Sequence, residues 1–287
     1  MHLATVPAAS AKVVAAVSAE RFAPQLLADQ MFAKSRTEAS STRFSRVSPA
    51  GQLVWRTEFF GPSPSPLSSD SLATAGAIEY RDPEPGEMRL PQAFLVEQEP
   101  GATVGSHFHY VDQFQVVVAG AGKLGAHAVA PLAVHFAAAH TGYGPIAPGD
   151  QGLSYFTFRA SADETGAQYL PGARARMRQV ARRNLIAPRI LVADAAELSA
   201  RQVSAAETVM EKDDGVGVFY LRLAPGGVID TPPVGNGLSM LVAAGAIDME
   251  GREYGHWSCL FVAAGEAPVR LQAAPGGAEV LVLRYPK

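Results

Sequence analysis

The sequence lacks most of the features that would assign it to a class directly. It has one cysteine, Cys259, in 287 residues, so no internal disulfide can form and a reducing compartment is expected. No apolar run approaches the roughly 20 residues that a membrane-spanning helix needs. Charge of either sign is not in excess. The formal net charge is −3, which gives no electrostatic footprint for nucleic acid or an anionic membrane. The one basic concentration is Arg174, Arg176, Arg178, Arg182 and Arg183, set around Met177 and Val180. It has no interleaved aromatics on which bases would stack, so a solvated or acid-paired linker is the expectation. Met1 to Arg21 is rich in Ala and Val, but Lys12 interrupts it and no basic segment precedes it. It fits a signal peptide poorly, and a cytoplasmic protein is expected.

What is present is an ordinary globular composition, 48% hydrophobic and 18% charged, long enough for two modest domains. The informative stretch is 101–120. His107 and His109 are two apart, so on a strand both imidazoles leave the same face, and Gln113 keeps that parity. Asp112 points to the opposite face. Two imidazoles and an amide oxygen converging on one point make a candidate divalent-metal site. Histidines cluster here too: His107, His109, His127, His135 and His140 fall close together, with His127 in a hairpin-like segment expected to be exposed.

The chain also repeats itself. Pro100-Gly101 recurs as Pro225-Gly226, an offset of 125 (226 − 101). At that offset Phe94 meets Phe219, Ala119-Gly120-Ala121 meets Ala244-Gly245-Ala246, Phe136 meets Phe261, Gly152 meets Gly277 and Arg159 meets Arg284. The register is unbroken, which points to a duplicated β-domain. The second copy has Pro232, Val234 and Leu238 where the first has His107, His109 and Gln113, so it carries no metal ligands.

The spacing of Gly101, His107, His109, Gln113 and Gly120 resembles the first motif of the cupin superfamily, G-x5-H-x-H-x3-E-x6-G, with Gln113 in place of the usual Glu. The resemblance implies an all-β fold of two tandem cupin-type jelly-roll β-barrels, with short N-terminal and linker helices. The expected divisions are an N-terminal extension (1–44), a first cupin domain with the metal site (45–160), a linker (161–205) and a degenerate second domain (206–287). Residues 1 to about 35 are expected to form a docking helix or a frayed terminus, and the Pro/Ser-rich 61–70 a loop.

The resemblance further implies one divalent transition metal (Fe, Mn, Ni or Zn) held by His107, His109 and Gln113. The family's second motif ends on a histidine, and the 125-residue offset puts Tyr143 at that place. His140, three residues earlier, competes with Tyr143 as ligand or proton donor, and His135 stands behind both. Phe108, Phe114, Phe136, Tyr155 and Phe158 are candidate lining for the site. Three functions stay open: a metal-dependent, dioxygenase-like oxidoreductase acting on a small aromatic or acid substrate; a non-catalytic small-molecule-binding cupin; or a structural barrel. A small-molecule partner, and a homodimer as a further option, are expected; nucleic acid and membrane are not.

Overall fold

A computed structural model describes residues 25–27, 31–48, 51–61, 79–84, 87 and 89–287. Strands dominate, and the only α-helices among these residues are the short Arg36–Ala39 and Ala195–Ala200. Both start from a capping box, with Ser35 and Asp194 as N-caps and Glu38 and Glu197 reaching back.

The strands form two large antiparallel sheets of matching construction. The first runs Asn184–Ile186, Val134–Ala137, Gln113–Leu124, Ile146–Arg159, Gln92–Gln98, Leu53–Phe60, Phe44–Val47. The second runs Gln25–Leu27, Met31–Lys34, Cys259–Val262, Leu238–Met249, Arg270–Arg284, Gly217–Leu223, Ala205–Glu211. The sequence offset of 125 survives in the pairing itself: Val116 opposes Phe156 and Leu241 opposes Leu281, while Gly120 opposes Leu153 and Gly245 opposes Ala278. Left-handed backbone recurs at the same offset, at Leu132 and Trp257 (φ 59° and 65°) and at His140 and Gly265 (φ 57° and 86°).

The edges differ from the sequence expectation. Residues 31–34 do not make a docking helix. Met-Phe-Ala-Lys alternates sides as a strand and pairs with Cys259–Val262 in the second sheet. The corresponding edge of the first sheet is taken by Asn184–Ile186 from the connector, paired with Val134–Ala137. Each half is thus completed by a segment lying outside its own repeat. The expected loop at 61–70 falls, from residue 62 on, outside the described residues.

Packing follows strand parity. On Gln113–Leu124, Phe114 and Val116 join Phe136, Phe156 and Phe158 in a core shared with Leu241, Phe261 and Leu281 of the second sheet. Val117 turns instead to a second cluster with Phe94, Val96, Ile146 and Tyr155, which the first sheet keeps to itself. The second sheet has its own cluster around Leu238, Met240, Tyr254 and Val280. Phe114, Phe136 and Phe158 therefore hold the two halves together and do not line the site; of the expected lining residues, Tyr155 faces inward.

Both central pairings depend on a close backbone approach. A Cβ on Gly120, whose φ is 71°, would sit 2.2 Å from the carbonyl oxygen of Gly152, and one on Gly245 would sit 2.1 Å from that of Gly277. Gly120→Ala should destabilise the protein by about 2 kcal/mol or more, combining left-handed strain with a backbone clash. Denaturant unfolding checks this; a midpoint unchanged from wild type would mean the strands can part there without cost.

Candidate functional site

His107 and His109 are delivered by a short segment clipped to the 140–143 turn. The N–H and C=O of His107 exchange hydrogen bonds with Tyr143 at 3.0 Å each, and the His140 N–H donates to the His109 carbonyl at 2.8 Å. This clip sets Tyr143 directly across from His107. Gln113 opens the long strand that follows. Tyr155, Thr157 and Arg159 alternate with the shared-core residues Phe156 and Phe158, so strand parity turns Arg159 inward at the end of its strand. Asp163 lies four residues beyond it.

These side chains make one continuous chain of hydrogen bonds. His107 Nδ1 meets the Gly105 carbonyl at 2.7 Å, and its Nε2 lies 2.6 Å from the Tyr143 hydroxyl. Gln113 Nε2 donates to that hydroxyl at 2.5 Å. The guanidinium of Arg159 donates to Gln113 Oε1 through Nε (3.1 Å) and Nη2 (2.9 Å), to His109 Nε2 through Nη2 (3.0 Å), and to Gln92 Oε1 through Nη1 (2.6 Å). His109 Nδ1 lies 3.0 Å from Asp163 Oδ2, and Asp163 Oδ1 accepts from the hydroxyl and amide of Thr165.

Only one placement of protons satisfies this chain. Arginine only donates, so His109 Nε2 must accept and its Nδ1 carries the proton to Asp163. A carbonyl only accepts, so His107 Nδ1–H donates to Gly105, Nε2 accepts, and Tyr143 O–H donates to it. Both imidazoles and the phenol are neutral; Arg159 and Asp163 are the charges.

The electrostatics agree with that placement. Burial pushes His107 down to about 3, helped by the neighbouring His109 and Arg159. Burial and the adjacent Arg159 push His109 down to about 4, against the pull of Asp163. Burial drives the Tyr143 phenol upward, so a phenolate is strongly disfavoured. Burial alone would raise Asp163, but the hydrogen bond from the neutral His109 ring, then the charge of Arg159 and the Thr165 hydroxyl, hold it well below the usual carboxylate range.

Of the residues chosen from sequence, His107, His109, Gln113 and Tyr143 come together. His140 does not join them. Its Nδ1 accepts the Arg178 N–H at 3.2 Å, its ring stacks on Phe108, and its left-handed backbone marks it as the turn residue that Gly265 is in the second half. His135 hydrogen-bonds Gln115 and Asn184 at 3.1 Å each and reaches the cluster only through ring contact with Tyr143. Asp112 points away and caps the Ala139 N–H. His127 is exposed. Of the connector arginines, Arg178 pairs with Asp82 and Arg183 with Asp214, both at 2.5 Å.

Sequence reasoning missed Arg159, Gln92 and Asp163. The signal for Arg159 was available: it follows Tyr155-Phe-Thr-Phe158 with inward parity, and it was already one of the repeat identities.

The donor set can be tested against a metal. His109 Nε2 and Gln113 Oε1 point their lone pairs at Arg159, and His107 Nε2 is used by Tyr143. No cluster of three or more His, Cys, Asp or Glu side chains among the described residues could hold an ion. A metal at this point would also stand within a few ångströms of a buried guanidinium. At 4 Å, unit charges repel by about 4 kcal/mol in a medium of effective dielectric 20, and a dication doubles it. As arranged, these residues do not fit a divalent ion.

No family model and no curated protein sequence matches this chain. Solved structures do. A putative dioxygenase from Nostoc punctiforme PCC 73102 aligns with TM-score 0.56 and 13% identity over 92% of this chain and 85% of its own. The bacterial pirin YhhW from Escherichia coli, in complex with nickel(II), aligns with TM-score 0.53 and 12% identity over 90% of this chain and 100% of its own. A cupin 2 conserved barrel domain protein from Leptotrichia buccalis is a more distant match, with TM-score 0.41 and 10% identity over 74% of this chain and 93% of its own. At these identities the first two matches show a shared fold, that of the Nostoc protein and of the pirin.

Proposed function

We propose that this chain is a metal-independent cupin that binds a small organic acid in its first half without turning it over. One observation carries the reading. Arg159 is 3% exposed, yet its direct partners, His109, Gln113 and Gln92, are all neutral. Asp163 acts on the guanidinium through its charge, but its carboxylate is hydrogen-bonded to the His109 ring and not to Arg159. A carboxylate brought to the guanidinium would supply the charge-assisted bond that the protein leaves unmade. The cluster is covered by Gln168–Tyr169, which pairs with His107–Phe108 for only two residues. The Tyr169 ring lies 5.6 Å from His107 and is 41% exposed, which suits an entrance for an aromatic or apolar acid. The second half, with Pro232, Val234 and Leu238 at the equivalent positions, serves packing. Among the described residues no helix is long and apolar enough to cross a membrane; a cytoplasmic protein, with a homodimer open, fits this reading.

Thermal shift and calorimetry with small aromatic and aliphatic carboxylates, each beside its uncharged amide, test the proposal. Carboxylates should raise the melting temperature, amides should not, and Arg159→Met should abolish the difference. The proposal fails if amides act equally or if no carboxylate binds.

A second reading, a metal-dependent dioxygenase-like oxidoreductase, is favoured by the unbroken motif spacing and by the convergence of His107, His109 and Gln113. It requires Arg159 to withdraw. Gln113→Glu separates the two. A metal centre gains from the new carboxylate and should hold divalent ions more tightly. If Arg159 occupies the centre, the carboxylate pairs with the guanidinium and metal content stays at background. Metal analysis of the purified variant decides.

A further inference from the structure

We propose that the Arg159 guanidinium is a built-in cation occupying the coordination point of the first half, and that removing it exposes a divalent-metal site formed by His107, His109 and Gln113. The inference rests on the metal-independent reading above and goes past it, because it assigns the exclusion of metal to one side chain.

The geometry is specific. Arg159 Nη2 lies 3.0 Å from His109 Nε2 and 2.9 Å from Gln113 Oε1, so a single cationic nitrogen bridges two of the atoms that would otherwise ligate. The third, His107 Nε2, accepts only from the neutral Tyr143 hydroxyl, a single hydrogen bond that an incoming ion can displace once no buried positive charge opposes it. Losing the guanidinium frees the Gln113 amide and the His109 lone pair together, and leaves Asp163 holding the His109 tautomer whose Nε2 is unprotonated.

The repeat supplies an internal comparison. Arg284 stands at the position equivalent to Arg159, and both lie over the equivalent phenylalanine, Arg159 at 5.6 Å from Phe94 and Arg284 at 5.0 Å from Phe219. In the second half the polar residues are absent, and Arg284 turns to the Gly215 carbonyl at 2.7 Å and to the Glu211 carboxylate. The arginine is therefore common to both halves. Only the first surrounds it with would-be ligands.

The test is titration of wild type, Arg159→Met, Arg159→Gln and Arg159→Met/His109→Ala with Co(II) and Ni(II), read by visible ligand-field absorption and chelator competition. Wild type should take up no stoichiometric metal. Either single variant should bind one ion per chain at least about 100-fold more tightly, and the double variant should lose it. Folded single variants that bind no better than wild type overturn this inference and leave the metal-independent reading standing. Stoichiometric metal in wild type, lost on His109→Ala, overturns both. If the Arg159 variants fail to fold, nitrogen-15 shifts of His109 in wild type decide: the Nδ1–H tautomer with Nε2 accepting is expected, and a proton on Nε2 refutes the arrangement.

Discussion

Asp163→Ala should lower stability by about 3–5 kcal/mol, the cost of breaking a fully buried charge network from one side. Asp163 has no exposed surface. Its two oxygens accept from His109, the Tyr110 amide, and the hydroxyl and amide of Thr165. Deleting the carboxylate leaves these donors unpaired and removes an anion whose charge acts on Arg159. In a chain of this size that corresponds to a drop in melting temperature of roughly 10 °C. Asp163→Asn should cost less, since one oxygen still accepts. A loss below about 1 kcal/mol for the alanine variant would show that the charge of Arg159 is balanced elsewhere.

Acid should destabilise this protein through its buried histidines. Burial holds His107 at about 3, His109 at about 4 and His135 at about 4, against about 6.5 when unfolded. Below pH 6.5 the unfolded chain binds protons that the native cluster refuses. Stability is therefore full above that pH and falls as pH drops toward 4, by roughly 1–2 kcal/mol per histidine at pH 5. The groups facing these rings reinforce the effect: Arg159 opposes protonation of His107 and His109, while Asp163 partly favours it on His109. Urea midpoints at pH 7.5, 6 and 5 measure it. A midpoint at pH 5 equal to that at 7.5 would mean the histidines are charged in the native state. His135→Gln should flatten the slope by about one histidine's share.

Much of this was legible in the chain. Strand parity and the 125-residue repeat are local and periodic, so they gave the β-class, the matched strands of the two halves and the common face of His107, His109 and Gln113. The repeat register also put Tyr143 forward for the place of the second-motif histidine, alongside His140. His140 was not separable from Tyr143 on spacing alone. What distinguishes them is a left-handed backbone that turns the His140 ring away, and a composition of Gly and Thr around it does not reveal which residue takes that conformation.

Residues 31–34 and 184–186 were unreadable as strands because each is too short to show a period and gains its ladder only from the half that lacks an edge strand. The largest gap was Arg159. A motif of histidines predicts a cation at their centre, and the sequence by itself fixed that demand: two imidazoles and an amide on one inward face. Which cation answers it depended on whether a strand forty-six residues away from Gln113 ended with its guanidinium in the same enclosed space. Sequence patterns report which face a side chain leaves from, whereas the choice between a bound ion and an internal arginine is made by distance and desolvation, and those exist only once the strands are packed.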